Sequence, residues 1–360
     1  MHREYEIMHL DKIVAEIDIK TGYSRIVQPQ FMPYSLYFEE AKDFEDAVNN
    51  INNFYHWCAT RLLSVDRTFA KEILNSIGAK QALTDKDRAA IALTYRCLSL
   101  RDVFWVREKG DDAAYGNINL YSHSLNDALV DISLKGRNLT VNNSNLMASD
   151  LSTNGLFPKA WIREETGFLL LKDGGLDIVH REHLASEIVK CFTRHSVDYR
   201  VRKYKEDWVT ESSIFTNPNQ SILPMDEFDI YCANQEIDLY EYVKTLDAAN
   251  YYIMNLVDYL IGNTDRHMGN WGLLIDNNRN QPVKLHPLMD FNHSFKEYNN
   301  LEGGRCLTVK EAVSQKQAAI EAAGQLGELS LLRELPYHLF EEYSYEKEKE
   351  MFVKRLAVLD

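Results

Sequence analysis

Three polar side chains in the last third of the chain have the types and the spacing that phosphoryl transfer requires. Asn270 follows Asp265 by five residues, and Asp290 follows both after a predicted hairpin. Phosphoryl transfer needs an oxygen base to orient the attacking hydroxyl, and it needs hard oxygen ligands for the magnesium that neutralises the phosphates. The pattern therefore predicts Asp265 as the catalytic base and Asn270 and Asp290 as magnesium ligands.

The same residues have a simpler interpretation, in which Asp265 and Asn270 form a polar turn that caps the preceding helix. The surrounding elements favour the chemical interpretation, because a helix precedes the motif, a hairpin follows it and Asp290 lies at the hairpin's exit. His267 is expected to brace the backbone of this loop. Arg266 has two open interpretations, as a partner for a phosphorylated side chain or as a solvated charge.

A second group of residues is predicted to contact the phosphates of a nucleotide. Such sites combine a loop of small residues, whose amides point inward, with a lysine on an adjacent strand. Lys172 ends an apolar strand over residues 168–172, which would deliver its amine to a cleft; the alternative is that Lys172 opens a solvated turn. Its predicted partner is a carboxylate on the next helix, either Glu182 or Glu187. The phosphate-loop candidates are Ser152, Thr153, Asn154 and Gly155, with Lys159 after them.

The elements that must position these residues are of both kinds, so the predicted fold class is α+β. The predicted strands cover residues 13–19, 23–27, 159–163, 168–172, 199–204, 208–215, 271–276 and 283–288. Helical spacing runs from about residue 44 to 99, with Thr84 as an N-cap, and again over 180–193 and 246–260. From about Thr308, which has the spacing of a capping box with Glu311, the chain is predicted to be helical to its end.

Composition excludes several classes of protein. The formal net charge of -14 argues against direct binding to nucleic acid, which rewards clustered Lys and Arg. No window is apolar and long enough for a membrane span, and the N-terminus does not resemble a signal peptide. Five dispersed cysteines without a C-x-x-C pair support neither a zinc site nor a disulfide framework. These features predict a cytoplasmic protein.

Several segments between residues 149 and 295, taken in their order along the chain, resemble segments of the HipA-like serine/threonine kinases. These kinases are the toxin components of bacterial toxin–antitoxin pairs and their relatives. The resemblance implies a bilobal protein-kinase-like fold with a helical N-terminal extension. It divides the chain into an N-terminal region (1–110), a β-rich nucleotide-binding lobe (111–227) and a mostly helical catalytic lobe (228–360). Residues 1–110 do not obviously match the family's usual N-terminal subdomain. The segments that resemble the family are 152–159, 170–172, 181–185, 261–270 and Asp290.

The resemblance also implies the chemistry of the site. ATP and Mg²⁺ would be the cofactors, a protein hydroxyl the substrate and an antitoxin-like protein a partner. The pairing of Lys172 with Glu182 is favoured over Glu187, and Met225 would lie at the adenine-binding hinge. Ser152 would be a site of autophosphorylation.

Two other functions remain open from the sequence. The Asp265-Arg266-His267 motif with Asn270 also resembles the loop of the phosphoinositide kinases, so a lipid or small-molecule kinase is one alternative. The lack of a basic, membrane-seeking segment weighs against it. The other alternative is a non-catalytic nucleotide-binding pseudokinase, and the intact set of Asp, Asn, Asp and Lys weighs against that.

Overall fold

A computed structural model describes residues 4–62, 84–123, 159–165, 167–327 and 330–359 of the chain. The chain divides into two compact units, each assembled from several stretches of sequence. The first contains Met1–Thr166, Phe215–Ile222 and Ile275–Gln281, and the second contains Gly167–Ile214, Leu223–Leu274 and Pro282–Asp360. Helices and antiparallel sheets occur together, which confirms the α+β class. The three-part division at residues 110 and 227 stays a prediction.

The first unit contains a four-stranded sheet in the order β3-β2-β1-β4. Its central pair places Ile7 opposite Ala15, while the other edge of β1 places Ile7 opposite Val106. The predicted strands β2 and β3 are confirmed, but β1 and β4 were missed, because their buried residues run consecutively instead of alternating. The strands of this unit are β1 (Glu4–His9), β2 (Lys12–Asp18), β3 (Ser24–Ile26), β4 (Phe104–Glu108) and β5 (Lys159–Glu164).

Two helices of the first unit, α1 (Phe44–Ala59) and α2 (Asp85–Thr94), pack on each other. The predicted start of α2 is confirmed, since Thr84 and Asp87 form a reciprocal capping box that satisfies two backbone amides. After α1, the buried Arg61 guanidinium donates two hydrogen bonds to the Asp102 carboxylate, at 2.9 and 2.6 Å. This ion pair connects the end of α1 to the segment that leads into β4.

His9 makes the stability of the first unit sensitive to acid. Its buried ring lies 5.0 Å from both Phe31 and Phe104, and neither ring nitrogen has a hydrogen-bond partner within the described part of the chain. Burial lowers the pKa of His9 from 6.5 to about 4. Between these pH values the unfolded chain binds a proton that the folded chain excludes, so stability falls as the pH falls.

We therefore expect a His9→Leu variant to lose less stability than the wild type between pH 6.5 and pH 4. The difference should reach roughly 3 kcal/mol, because the neutral Leu side chain removes the proton uptake of the unfolded state at this position. Urea unfolding of both chains across this range measures it. Equal losses in the two chains would contradict the assignment to His9.

The second unit begins with one strand, one helix and two further strands in chain order. The strand β8 pairs antiparallel with β6 on one side and with β7 on the other, and Lys172 lies opposite Thr210 in this register. These strands and the helix between them confirm the corresponding predictions. They are β6 (Gly167–Lys172), α3 (Leu176–Phe192), β7 (Arg200–Tyr204) and β8 (Asp207–Ser213).

A further sheet has three strands in the order β11-β10-β9. The division of the sequence into the two units falls within these strands. The long helix α5 ends at Ile261 as predicted from its apolar spacing, and it kinks at Asp247, whose backbone is not helical. The remaining elements are β9 (Gln220–Pro224), α4 (Met225–Asn234), α5 (Leu239–Ile261), β10 (Gly272–Asp276), β11 (Gln281–Leu285), α6 (Gln315–Leu326), α7 (Tyr337–Glu342) and α8 (Glu346–Leu356). None of the helices in the described residues is long and apolar enough to cross a membrane.

The prediction of a helix from Thr308 was wrong. The helix α6 begins at Gln315, where Ser314 and Gln317 form the capping box. Thr308 is buried instead, and its hydroxyl donates to the Asn255 amide oxygen on α5. The capping-box spacing at Thr308 therefore occurs in a non-helical segment that packs against α5.

Candidate active site

The predicted catalytic loop begins where α5 ends. Gly262 adopts a left-handed conformation with φ of 62°, and the next amide, of Asn263, donates to the Asp258 carbonyl at 2.9 Å. A Cβ atom at Gly262 would lie 2.4 Å from the Tyr298 ring, so this close approach requires glycine. The turn directs the chain out of the helix and into residues 263–270.

A buried ion pair fixes this loop. The Arg266 guanidinium donates to the Asp258 carboxylate at 2.8 and 3.0 Å, and both side chains are almost fully buried. Arg266 also donates to the backbone carbonyls of Asn270, at 2.8 Å, and of Met289. Burial alone would lower the pKa of Arg266, but the Asp258 carboxylate outweighs burial and raises that pKa. Arg266 is therefore a permanent charge that links the catalytic loop to the residue preceding Asp290.

The side chains of Asp265 and Asn270 differ in their surroundings. The Asp265 amide donates to the Asn263 side-chain oxygen at 3.2 Å, while its carboxylate is 39% exposed and lies 3.7 Å from His293 Nε2. The Asn270 side-chain amide donates to the Asp265 carbonyl at 2.8 Å. This bond orients the Asn270 side-chain amide and identifies Nδ2 as the donor. The Oδ1 atom is then the acceptor of this side chain.

Lys172 contacts two carboxylates, the predicted partner Glu182 and also Asp290, whose contact with the lysine was not predicted. Its Nζ atom donates to Glu182 at 2.8 Å and to Asp290 at 3.0 Å, and the lysine is only 6% exposed. The second oxygen of Glu182 accepts from the Thr210 hydroxyl, so the carboxylate is held at both ends. Lys172 is thus a buried partner of Glu182 and does not open a solvated turn.

Electrostatics keep this lysine charged. Burial acts to lower the pKa of Lys172, but the carboxylates of Asp290 and Glu182 outweigh it and raise the pKa well above its usual value. Glu187, the other candidate partner, pairs with Lys190 and Arg333 instead. The structure therefore favours Glu182, in agreement with the prediction.

Asp290 has a backbone conformation that is uncommon for a residue with a side chain. Its φ is 60°, in the left-handed region, and its amide donates to the Tyr199 hydroxyl at 3.1 Å. The following Phe291 is fully buried and packs edge-on against the Tyr199 ring at 5.9 Å. Such conformations persist where the surrounding contacts hold them, and they are concentrated at functional sites.

The remaining predicted residues have different outcomes. The loop candidates Ser152, Thr153, Asn154 and Gly155 lie outside the described residues, and Lys159 begins β5 in the first unit. Met225 is fully buried at the start of α4, where its amide donates to the Trp271 carbonyl at 3.0 Å. This amide is thus already bonded within the protein. The placement of Met225 at an adenine-binding hinge stays a prediction.

His267 and Arg266, which follow Asp265 in the loop, both have structural roles. His267 Nδ1 accepts from the Gly269 amide at 3.0 Å, so the histidine braces the turn as expected from its position. Arg266 forms the buried pair with Asp258 and is therefore neither a solvated charge nor accessible to a phosphorylated side chain. Asp258 was missed in the sequence, although its position near the end of the helix, seven residues before Asp265, was visible.

The donor set suits a magnesium ion. Asn270 has an amide oxygen oriented by its side-chain hydrogen bond to the Asp265 carbonyl, and Asp290 has a carboxylate that accepts from the Lys172 ammonium at 3.0 Å. Both are hard oxygen donors of the kind that Mg²⁺ prefers, and their segments are connected through the Arg266 guanidinium. The residues present are thus compatible with the predicted metal.

Comparisons with solved structures show which fold this is. The kinase CtkA from Helicobacter pylori matches at 14% identity over 56% of this chain and 86% of its own, with a TM-score of 0.43. HipA of the Shewanella oneidensis MR-1 toxin–antitoxin system matches over 99% of this chain and 95% of its own, with 11% identity and a TM-score of 0.51. The chain has a HipA-like fold. No protein-family model matches the sequence, and neither does any curated protein.

The fold brings together side chains that are far apart in sequence. Lys172 lies on a strand, Glu182 on the following helix, and Asp290 more than a hundred residues later, and all three belong to the second unit. The identity of 11% is low, so the likeness to HipA is one of fold.

Proposed function

We propose that this chain is an ATP- and magnesium-dependent kinase that phosphorylates a serine or threonine hydroxyl of a protein, including its own Ser152. The observation that carries the proposal is the position of the Lys172 ammonium between Glu182 and Asp290, at 2.8 and 3.0 Å. A buried lysine fixed by one carboxylate and next to a second is suited to contact phosphate groups, because its charge is permanent and its position is defined.

Each side chain has a role in this proposal. Asp265, with its partly exposed carboxylate, would orient the acceptor hydroxyl and receive its proton. Lys172 would bind the phosphates, and Glu182 would hold Lys172. Asn270 and Asp290 would hold Mg²⁺, which supplies electrostatic stabilisation of the phosphate charge.

Lys172 donates directly to the Asp290 carboxylate. Both groups would have to exchange this contact for new partners when a nucleotide and metal bind: the ammonium for a phosphate oxygen, the carboxylate for the cation. The contact between Lys172 and Glu182 can persist throughout, because Glu182 is also held by Thr210. Glu182 therefore determines where the ammonium stays.

The test is incubation of the full chain with radiolabelled ATP and Mg²⁺, alone and with a bacterial lysate. Label on the chain itself or on a lysate protein is expected, and mass spectrometry tests Ser152 as an acceptor. Absence of both ATP binding and transfer would overturn the proposal. Label confined to lipid extracts would favour a lipid kinase instead.

The variant Glu182→Gln separates a positioned lysine from a merely buried one. We expect kcat/KM for ATP to fall by roughly 10- to 100-fold, because the Lys172 ammonium loses its charge-assisted hydrogen bond. Glu187→Gln is the matched control, since it changes the same residue type on the same helix but contacts Lys190 and Arg333. Steady-state kinetics of both variants measure the effect, and equal losses would contradict the assigned role of Glu182.

The partner of the chain is part of the proposal. The Shewanella HipA structure contains HipB and operator DNA. We propose that this chain also has an antitoxin-like protein partner. We expect no direct contact between this chain and nucleic acid, because its net charge of -14 opposes binding to phosphate backbones.

A further inference from the structure

A short segment, residues 195–199, follows the helix α3 and contacts Leu288, two positions before Asp290. The Val197 amide donates to the Leu288 carbonyl at 2.9 Å, and the Leu288 amide donates to the His195 carbonyl at 3.0 Å. These two bonds form a parallel bridge between the 195–199 segment and the residues two positions before Asp290. The segment is therefore fixed to the chain that carries the proposed metal ligand.

The same segment is fixed to α3 by a buried serine. The Ser186 hydroxyl donates to the Val197 carbonyl at 3.1 Å and accepts from the Tyr199 amide at 3.2 Å. Ser186 follows Glu182 by four residues, so both side chains lie on one face of α3. One helix thus positions both the carboxylate that holds Lys172 and the backbone of Tyr199.

The Tyr199 side chain ends at the centre of the site. Its hydroxyl oxygen accepts from Lys172 Nζ at 3.3 Å and from the Asp290 amide at 3.1 Å, and the residue is 2% exposed. The Lys172 ammonium also lies 4.7 Å from the centre of the Tyr199 ring. Burial raises the pKa of Tyr199 to about 12, so the phenol stays neutral.

We propose that Tyr199 is a positioning residue, which holds the Lys172 ammonium and the Asp290 backbone in the arrangement that receives magnesium-bound ATP. This inference rests on the proposed function. The hydroxyl accepts from the Asp290 amide while the Asp290 backbone has the uncommon left-handed conformation, so this hydrogen bond helps to hold that conformation.

A neutral acceptor has an advantage at this position. A third carboxylate beside Lys172 would neutralise the ammonium further and would repel the phosphates of the nucleotide. The phenol contributes two hydrogen bonds and the electron-rich face of its ring without adding charge. Lys172 therefore keeps its net attraction for phosphate while its position is restrained.

The test is the variant Tyr199→Phe, which removes the hydroxyl and keeps the ring. We expect the KM for ATP and the Mg²⁺ concentration at half-maximal activity each to rise about tenfold, because the Lys172 ammonium and the Asp290 backbone lose a hydrogen bond that positions them for binding. The kcat value should change much less. Isothermal titration calorimetry with magnesium-ATP should show the same loss of affinity without depending on catalysis.

Two further variants separate positioning from general stability. Tyr251→Phe removes another buried hydroxyl, which donates to the Thr308 carbonyl at 2.8 Å, and it should lower the melting temperature without changing the affinity for magnesium-ATP. Ser186→Ala leaves the Tyr199 hydroxyl in place but loosens its backbone, so it should weaken binding in the same direction and to a smaller extent.

The outcomes are distinct. If wild type binds magnesium-ATP and Tyr199→Phe binds it equally well, the positioning role of Tyr199 is overturned while the proposed kinase function stands. If Tyr199→Phe and Tyr251→Phe lose stability equally and neither loses affinity, Tyr199 has only a structural role. If wild type neither binds ATP nor transfers phosphate, both the proposed function and this inference fail.

Discussion

The variant Asp265→Asn is expected to bind magnesium-ATP as wild type does and to transfer phosphate roughly 10²- to 10⁴-fold more slowly, the usual contribution of a general base. Asparagine preserves the size of the side chain, and the backbone amide of residue 265 keeps its bond to Asn263. What disappears is a carboxylate able to orient and deprotonate the acceptor hydroxyl. Single-turnover transfer of labelled phosphate measures the rate, and calorimetry measures binding.

The control for this variant is Asp229→Asn, which changes an exposed carboxylate on α4 in the same unit. Its transfer rate should equal that of the wild type. An unchanged rate in Asp265→Asn would show that another group serves as the base. A loss of ATP binding in Asp265→Asn would show that Asp265 belongs to the nucleotide site instead of the acceptor site.

The variant Asp258→Ala is expected to lower the free energy of unfolding by about 3–5 kcal/mol, because it leaves the Arg266 guanidinium buried without its partner. The two side chains are among the least exposed charged groups of the second unit, so solvent cannot compensate for the loss. Arg266 would also loosen its hold on the carbonyls of Asn270 and Met289, and phosphate transfer should fall with stability. Urea unfolding and the transfer assay measure the two effects.

A double variant tests whether this stability effect comes from the unpaired charge. In Asp258→Ala with Arg266→Met, neither charge of this buried pair remains, so much of the lost stability should return while phosphate transfer does not. The exposed Glu341, which pairs with Lys349, gives the contrasting case, and Glu341→Ala should leave stability almost unchanged. If the double variant is as unstable as Asp258→Ala, the unpaired-charge explanation is wrong.

The two buried ionic groups of the second unit have different functions in this scheme. The pair of Asp258 and Arg266 is closed, since each charge is matched and the remaining donors reach backbone carbonyls. The group of Lys172, Glu182 and Asp290 has one cation between two carboxylates and thus carries a net negative charge. That excess suits a site that receives a divalent cation, whereas the closed pair suits a fixed support.

The sequence by itself predicted most of the elements around the candidate site, and it indicated a type of chemistry for that site. Periodic apolar residues determined α5, and the five-residue spacing of Asp265 and Asn270 was visible because both lie in one short loop. The strand that ends at Lys172 and the helix that carries Glu182 were also predictable, because these signals depend only on neighbouring residues. The wrong helix start predicted at Thr308 shows the limit of such local signals, since a capping-box pattern does not indicate whether its residues are buried.

Only the tertiary structure decided which side chains meet. The choice of Glu182 over Glu187 depends on which face of α3 turns toward β6, and the contact of Lys172 with Asp290 joins residues separated by 118 positions. Tyr199 gave no signal of its own, because a tyrosine before a strand is common and its role comes from two donors on distant segments. Local patterns determine secondary structure, but the geometry of a site is set by long-range packing, and a single sequence does not contain that packing in readable form.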